Sequence, residues 1–521
     1  MQTLAFSKDG KFLLESLNEA PATKPSHRGE TIHVDGVGGS IYFVYEQLRN
    51  AAEYSEQHLL LRRAIERFLQ RSVNLNRLQP LGHELVIELT QSRYIKNDSI
   101  TLTTVKQLDQ TMQQFAQLYH ETLRHERNRE VVRKWILQTA SVHLEQQLVE
   151  QQNTRAFTDF AYHHYLHAIE ESSRPQDADQ THFEVALYCA VHRTIMKSDL
   201  ATTRAYGLAS QILPVEGMEA ATYFTALNRL IDELFSERTT NRLIRLISQY
   251  GAPMRILREI VVTNPQVDAL LNDKIRLLDR VRLATQDQYK QVRTRLNKGI
   301  VRSVAFIAIT KVLIGVAVEI PYDLLRHGAV VWRPLVLNVL FPPIYMATLG
   351  LSIRQPSRKN IDLIEEAAER ILYETDKPAI RYRLRRRVSS PALNSFFNIL
   401  YAVTFVLWLA LLGWVLSKLG FNAVSGVIFF VFLSTVSFFG FRLTQTAREY
   451  EMIEARRGAF AFIADFFYTP FIRIGHWISD TYASFNVVSR VLDIMIEMPL
   501  KTVLRFMQQW IGFLRDKQEE M

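Results

Sequence analysis

The sequence predicts an all-α integral membrane protein: an N-terminal cytoplasmic helical domain, then four transmembrane helices, then a C-terminal amphipathic helical tail. Three observations carry that class. Four apolar stretches lie in the second half of the 521-residue chain, near Val304 to Val318, Leu335 to Leu351, Phe396 to Leu416 and Val424 to Phe441. From Ser40 onward, apolar residues recur mostly at three- and four-residue steps, the spacing of one helical face. Strand-like alternation is scarce, with Ile100 to Val105 the best short candidate. The composition, 48% hydrophobic and 22% charged, stays near that of soluble proteins because a large polar region dilutes the spans.

Residues 1–35 are polar and carry Pro21, Pro25 and Gly29, so they read as a loose leader. They lack the sustained apolar core and small-residue cleavage pattern of a secretory signal, which leaves insertion to the first span. Residues 36–263 read as the all-α domain. Its helical runs start with Ile41, Val44, Leu48, Leu59, Ala64, Ile65 and Leu69 and continue over Leu81 to Ser92, Val105 to Glu150, Arg155 to Glu171, Thr181 to Lys197, Thr202 to Gln211, Met218 to Arg238 and Asn241 to Gln249. Turn signals at Asn97-Asp98, Pro214, Gly251 with Pro253 and Asn264-Pro265 separate them. No motif recurs at the fixed period of a helical-hairpin solenoid. Residues 264–299 read as a juxtamembrane helix continuing into the first span, and so as a mechanical link between domain and membrane.

Roughly 20 apolar residues of helix cross about 30 Å of hydrocarbon while satisfying their own backbone polar groups. Within 300–351 and 395–441 the third stretch meets that length, and the fourth nearly does. The first is about 15 residues long, so it spans if Arg302 and Glu319 snorkel or the bilayer thins. Between the pairs, 352–394 is a basic loop with a short amphipathic helix striped by Ile361, Ile364, Ala367, Ala368, Ile371 and Leu372. The tail, 442–521, is amphipathic through Val487, Val491, Leu492, Met495, Val503, Met507 and Trp510, and is preceded by Phe460, Phe462, Phe466, Phe467, Tyr468 and Trp477. It reads as helices lying at the cytoplasmic interface or packing on the N-terminal domain, and its aromatics favour the interface.

The net charge of +9 matters less than its placement. Lys290, Arg293, Arg295, Lys298 and Arg302 crowd the start of the first span, Arg381, Arg383, Arg385, Arg386 and Arg387 precede the third, and Arg442, Arg448, Arg456 and Arg457 follow the fourth. The two short turns carry only Arg326 and Arg333, and Lys418. By the positive-inside rule, both termini and the middle loop are cytoplasmic, at the plasma membrane. The arginines at 381–387 are expected to meet anionic lipid headgroups. Nucleic acid is not an expected partner, because no basic run is interleaved with stacking aromatics. The single cysteine, Cys189, excludes an intrachain disulfide and multi-cysteine metal sites.

Lys311 sits mid-span, where an ammonium costs at least about 2.5 kcal/mol unless it faces protein or water. Glu319 lies eight residues on, about 12 Å along an ideal axis, so the two pair only if the helix breaks. Pro342-Pro343 interrupts the second span and frees carbonyls of the preceding turn, beside Asn338. These five residues are the intramembrane polar candidates: an ion, proton or substrate path on one reading, a structural tie on the other. His163, His167 and Glu171 recur at four-residue steps, a spacing compatible with a shared metal but weak alone. Gly36-Val37-Gly38-Gly39-Ser40 lacks the Gly-Lys-Ser/Thr ending of a phosphate loop and reads as a flexible entrance capped by Ser40. No catalytic motif is found and no cofactor is implied. The leading expectation is a non-enzymatic scaffold or assembly protein with a protein partner or a second copy. The alternatives are a channel or transporter subunit using Lys311 and Glu319, and a metal-dependent enzyme.

Overall fold

The computed structural model describes residues 5–19, 30–34, 46–47, 57–72, 80–149, 152–170, 174, 180–213, 218–264, 266–352, 358–384, 391–452 and 468–479. Among these the chain is all-helical, without a strand, and only three isolated bridges occur. The short strand expected at Ile100 to Val105 is one of them: Thr31 bridges Thr101, and Leu102 already opens the next helix. The hydroxyl of Thr101 accepts from the Thr104 amide, an N-cap that turns the β-branched run into helix.

Two compact units divide the described chain. The first takes Met1–Leu277 and Ala368–Leu384, and the second takes Leu278–Ala367 and Arg385–Phe485. In the first, helices Leu60–Ser72, Gly82–Gln91, Leu102–Thr122 and Arg129–Leu148 enclose a core around Ile65, Leu85, Leu108, Val132 and Ile136. The run expected to be continuous from Val105 to Glu150 is broken at residues 123–128, because Asn128 caps the next helix through the Val131 amide. The turn expected at Gly251 and Pro253 separates Arg238–Tyr250 from a further helix, Ala252–Thr263, which starts with proline in its first turn, where no amide is needed.

The leader is in part a packed helix. Lys8–Glu19 is capped by the Ser7 hydroxyl, which accepts from the Gly10 amide at 2.9 Å, and it buries Leu13 and Leu17. Asp9 on its first turn meets His163 at 3.3 Å and His164 at 2.7 Å, while Phe12 stacks on His163. The middle loop is also partly internal. Ser7 donates its amide to the Leu372 carbonyl, and Glu374 donates to Ala5, so the chain end and the loop pair backbone to backbone. A Cβ on Gly10 would lie 2.0 Å from the Leu372 carbonyl oxygen, so this approach requires glycine. Further along, Tyr382 exchanges backbone bonds with Ala168 and Glu170, and Tyr373 and Tyr382 are both buried.

The second unit holds four helices long and apolar enough to cross a membrane: Lys274–Arg326, Trp332–Leu351, Ser395–Lys418 and Ala423–Arg448. The first is longer than its apolar stretch suggested. Its helix passes through a π-turn at Gly315–Glu319 and runs on to His327, ending at Gly328 with φ +70°. Glu319 does not snorkel; its carboxylate is buried within the unit. The second span is helical throughout, so Pro342 and Pro343 remove ladder donors without ending it. The third is the most lipid-like, with 6% of its apolar window buried by protein.

Two polar ties define the ends of this bundle. At one end Asn360, which follows the second span, donates to the Tyr289 hydroxyl and to the Tyr450 carbonyl, and accepts the Met452 amide at 2.7 Å. That end therefore gathers the stem of the first span, the link between spans two and three, and the residues after span four. At the other end Asn422 donates to Asp323 at 2.8 Å, joining the two short turns.

Residues 468–479 form a further helix packed on the spans. Phe471 joins a cluster with Leu416, Phe429 and Leu433, and Tyr468 donates to the Ser437 carbonyl. A Cβ on Gly475 would sit 2.3 Å from the Ser434 carbonyl oxygen, near the middle of the fourth span. Phe460, Phe462, Phe466, Phe467, the tail stripe from Val487 onward and the Gly36–Ser40 loop lie outside the described residues.

Candidate intramembrane charge site

Three of the five intramembrane candidates come together. The Lys311 ammonium donates to Glu319 Oε1 at 3.1 Å, and Asn338 Nδ2 lies 2.9 Å from both carboxylate oxygens. All three side chains are essentially fully buried. The sequence made this pairing conditional on a break in the helix, and the π-turn at Gly315–Glu319 supplies it. One wider turn rotates and shortens the segment between the two residues. Side chains on a helix also tilt toward its N-terminus, so the Glu319 carboxylate leans back toward Lys311. The ammonium further lies 4.6 Å from the centroid of the Phe432 ring on the fourth span, a cation–π contact strengthened where water is absent.

Asn338 links the pair to a third helix. Its Nδ2 is 3.2 Å from the Ser425 carbonyl at the start of span four, so two hydrogens face three acceptors. The opposite amide orientation would set oxygen against carboxylate, which fixes this one. Its Oδ1, equally buried, has no hydrogen-bond partner among the described residues. The Lys311 ammonium donates to Glu319, and no hydrogen bond joins it to a carbonyl freed by Pro342 or Pro343 among the described residues. The effect of the two prolines is on the backbone: each lacks the amide that would bond the carbonyl four residues back, which here means Asn338 and Val339.

A polar chain leads from this cluster to one end of the bundle. Asn422 accepts the Ser425 amide at 2.8 Å and donates to Asp323, whose other oxygen accepts the Val331 amide at 3.3 Å. Toward the other end the neighbours are Ile307, Met346 and Val436, all buried and apolar. The sequence reading did not place Asp323, Asn422 or Ser425 in this site. Asn422 was accessible as an N-cap before an apolar run, but the Ser425 contribution is a backbone carbonyl that any residue supplies.

The other candidates fall elsewhere. His163 Nδ1 faces Asp9, and His167 Nδ1 faces the His163 carbonyl at 2.8 Å, while Glu171 lies outside the described residues. Among the described residues no group of three or more His, Cys, Asp or Glu is placed to hold a metal. Burial would raise the Asp9 carboxyl, but hydrogen bonds and charge from His163 and His164 outweigh it and hold it well below the usual carboxylate range. Arg383 pairs with Glu170 at 2.7 Å, Arg381 is exposed, and Arg385, Arg386 and Arg387 lie outside the described residues.

One buried group had no signal in the sequence. His192 opens a second π-turn, His192–Met196, and neither ring nitrogen has a hydrogen-bond partner among the described residues. Burial drives it down to about 3, against a smaller opposing pull from Asp199, so the ring is neutral.

No known protein family, curated protein or solved structure matches the chain.

Proposed function

We propose that the chain is a non-enzymatic integral membrane protein of the plasma membrane, an assembly or scaffold protein. Its helical unit works at the cytoplasmic face and binds a protein partner or a second copy. The observation that carries this reading is the composition of the first unit, which draws Ala368–Leu384 from between the second and third spans. The chain therefore passes between the units after Leu277, after Ala367, after Leu384 and again after Phe485, so the helical unit is joined to the spans by several covalent links rather than one. An independently moving enzyme domain needs no such attachment, whereas a platform that must hold its position relative to the bilayer gains from it. The arginine-rich segments near these links suit anionic headgroups of the inner leaflet.

Solubilisation in a mild detergent followed by mass measurement tests this. A discrete homo-oligomer, or a stoichiometric complex with one protein, is the expected result. A monodisperse single chain at every concentration contradicts it.

A second reading, a channel or transporter subunit, is favoured by one observation: the polar chain from Asp323 to Lys311, with the unpartnered Asn338 Oδ1 beside it. Flux in reconstituted vesicles should then fall on Lys311→Met while the protein stays folded, and unchanged flux removes the reading.

A further inference from the structure

We infer that the second unit binds one anionic phospholipid in the groove between the first and fourth spans at their stem end. Its phosphate lies on Lys298, Arg302 and Arg442, and an acyl chain lies along Phe306, Ile309 and Leu313. The inference rests on the membrane reading of the four apolar helices and goes beyond the scaffold reading, since its ligand is a lipid.

The groove follows from how the two helices meet. Tyr289 on the stem donates to the Tyr450 carbonyl, a Cβ on Gly299 would lie 3.3 Å from the Leu443 side chain, and the Lys311 ammonium lies over the Phe432 ring. Numbers rise along one helix as they fall along the other, so the two run antiparallel. Val292 and Leu296 pack there with Leu443, Ala447 and Tyr450. At 3.6 residues per turn, Arg295, Lys298 and Arg302 fall on one flank of the packed stem stripe, and Arg442 falls on a flank of the packed span-four stripe. For two right-handed antiparallel helices these flanks lie on the same side of the contact, whereas Arg293 and Arg448 turn to the other side. In depth Arg442 falls between Lys298 and Arg302, which are about 6 Å apart along the axis. Span two packs on the far side, where a Cβ on Gly350 would lie 2.8 Å from the Ile300 side chain.

Charge selects an anion. Lys298, Arg302 and Arg442 are exposed, and among the described residues none of them meets a carboxylate. No Asp or Glu occurs from Gln288 to Val318 or from Gly420 to Arg448, so neither helix can neutralise the cluster from within. Guanidinium groups match phosphate oxygens two at a time, and basic pockets between spans suit phospholipid headgroups.

The continuation of the stripe selects a lipid over a free anion. Arg302, Phe306, Ile309 and Leu313 recur at steps of four, three and four, one face of one helix. Phe306, Ile309 and Leu313 are 60%, 62% and 62% exposed. The face therefore changes from cationic to bare hydrocarbon within a single turn. A phosphate joined to an acyl chain uses both halves, whereas inorganic phosphate uses only the first.

The test uses purified full-length protein in mild detergent, mixed with phosphatidylglycerol and phosphatidylcholine of identical acyl chains, with native mass spectrometry to count the lipids retained per chain. The expected result is one phosphatidylglycerol per chain at concentrations where phosphatidylcholine is not retained, undisturbed by millimolar inorganic phosphate. Arg442→Gln should weaken retention about tenfold, the equivalent of about 1.4 kcal/mol. Arg448→Gln removes the same charge from the same helix end on the other side, and should leave retention unchanged. Thermal unfolding checks each variant, and if Arg442→Gln does not fold, Arg302→Gln against Arg293→Gln makes the same comparison. Equal retention of the two lipids, equal loss from the paired substitutions, or displacement by inorganic phosphate overturns the inference. Flotation with phosphatidylcholine vesicles tests the membrane reading separately. A chain that floats without preferring the anionic lipid fails the inference alone, and one that does not float fails both.

Discussion

Replacing Lys311 with methionine removes the cation and leaves the Glu319 carboxylate buried inside the second unit. The pair is closed at 3.1 Å, with relative exposures of 0% and 1%, so no solvent screens the loss. Removing one member of a buried pair typically costs about 3–5 kcal/mol. Asn338 continues to donate to both carboxylate oxygens, which places this case at the low end, about 3 kcal/mol and more than a hundredfold in the folding equilibrium. The double variant Lys311→Met with Glu319→Gln removes both charges, keeps an acceptor for Asn338, and should recover most of that loss, since a buried pair contributes little net stability over a neutral replacement. Denaturant unfolding in detergent micelles, for both singles and the double, gives the coupling between the two residues. A coupling below about 0.5 kcal/mol, the level at which separate sites simply add, would refute the pairing and with it the argument built on the π-turn.

Other consequences can be checked separately. His192 is held neutral in the fold at about 3 against about 6.5 in an unfolded chain, so the unfolded state binds the extra proton between those values. Its effect is absent above about pH 6.5 and destabilising below it, and the first unit should lose about 2 kcal/mol from this group between pH 6.5 and 5. His192→Leu should flatten that slope, and an equally steep slope in the variant would assign it elsewhere. Gly475→Ala should lift residues 468–479 from the fourth span, because the added Cβ meets the Ser434 carbonyl; proteolysis between residues 452 and 468 should quicken, and unchanged cleavage would oppose the packing. Reporter fusions after Arg326 and after Lys418 should report the outside and one after Arg387 the inside; the reverse pattern would overturn the orientation.

How much the sequence revealed depended on the range of the interaction. The spans and most helix runs were legible, since each is a local pattern of apolar spacing. Lys8–Glu19 was not, because twelve residues with Leu13 and Leu17 inward look polar until a docking surface is known. The same holds for Ala368–Leu384: its stripe was visible, but its pairing with Ala5, Ser7 and Ala168 joins residues hundreds of positions apart. In the site, Lys311, Glu319 and Asn338 were picked out as polar residues in apolar runs. Their contact was hidden because ideal helix geometry forbids it, and no residue between 315 and 319 announces a π-turn beyond Gly315. Backbone contributors such as the Ser425 carbonyl leave no trace in residue identity.

The central claim is that the helical unit serves assembly at the membrane. Cross-linking in intact membranes through a photoreactive residue placed at exposed positions of the first unit, Arg242 and Arg245 among them, tests it most directly. The account predicts one discrete cross-linked species of fixed stoichiometry, containing either a second copy of this chain or a single defined protein, retained after solubilisation. Uncross-linked single chains at every position tried would contradict it.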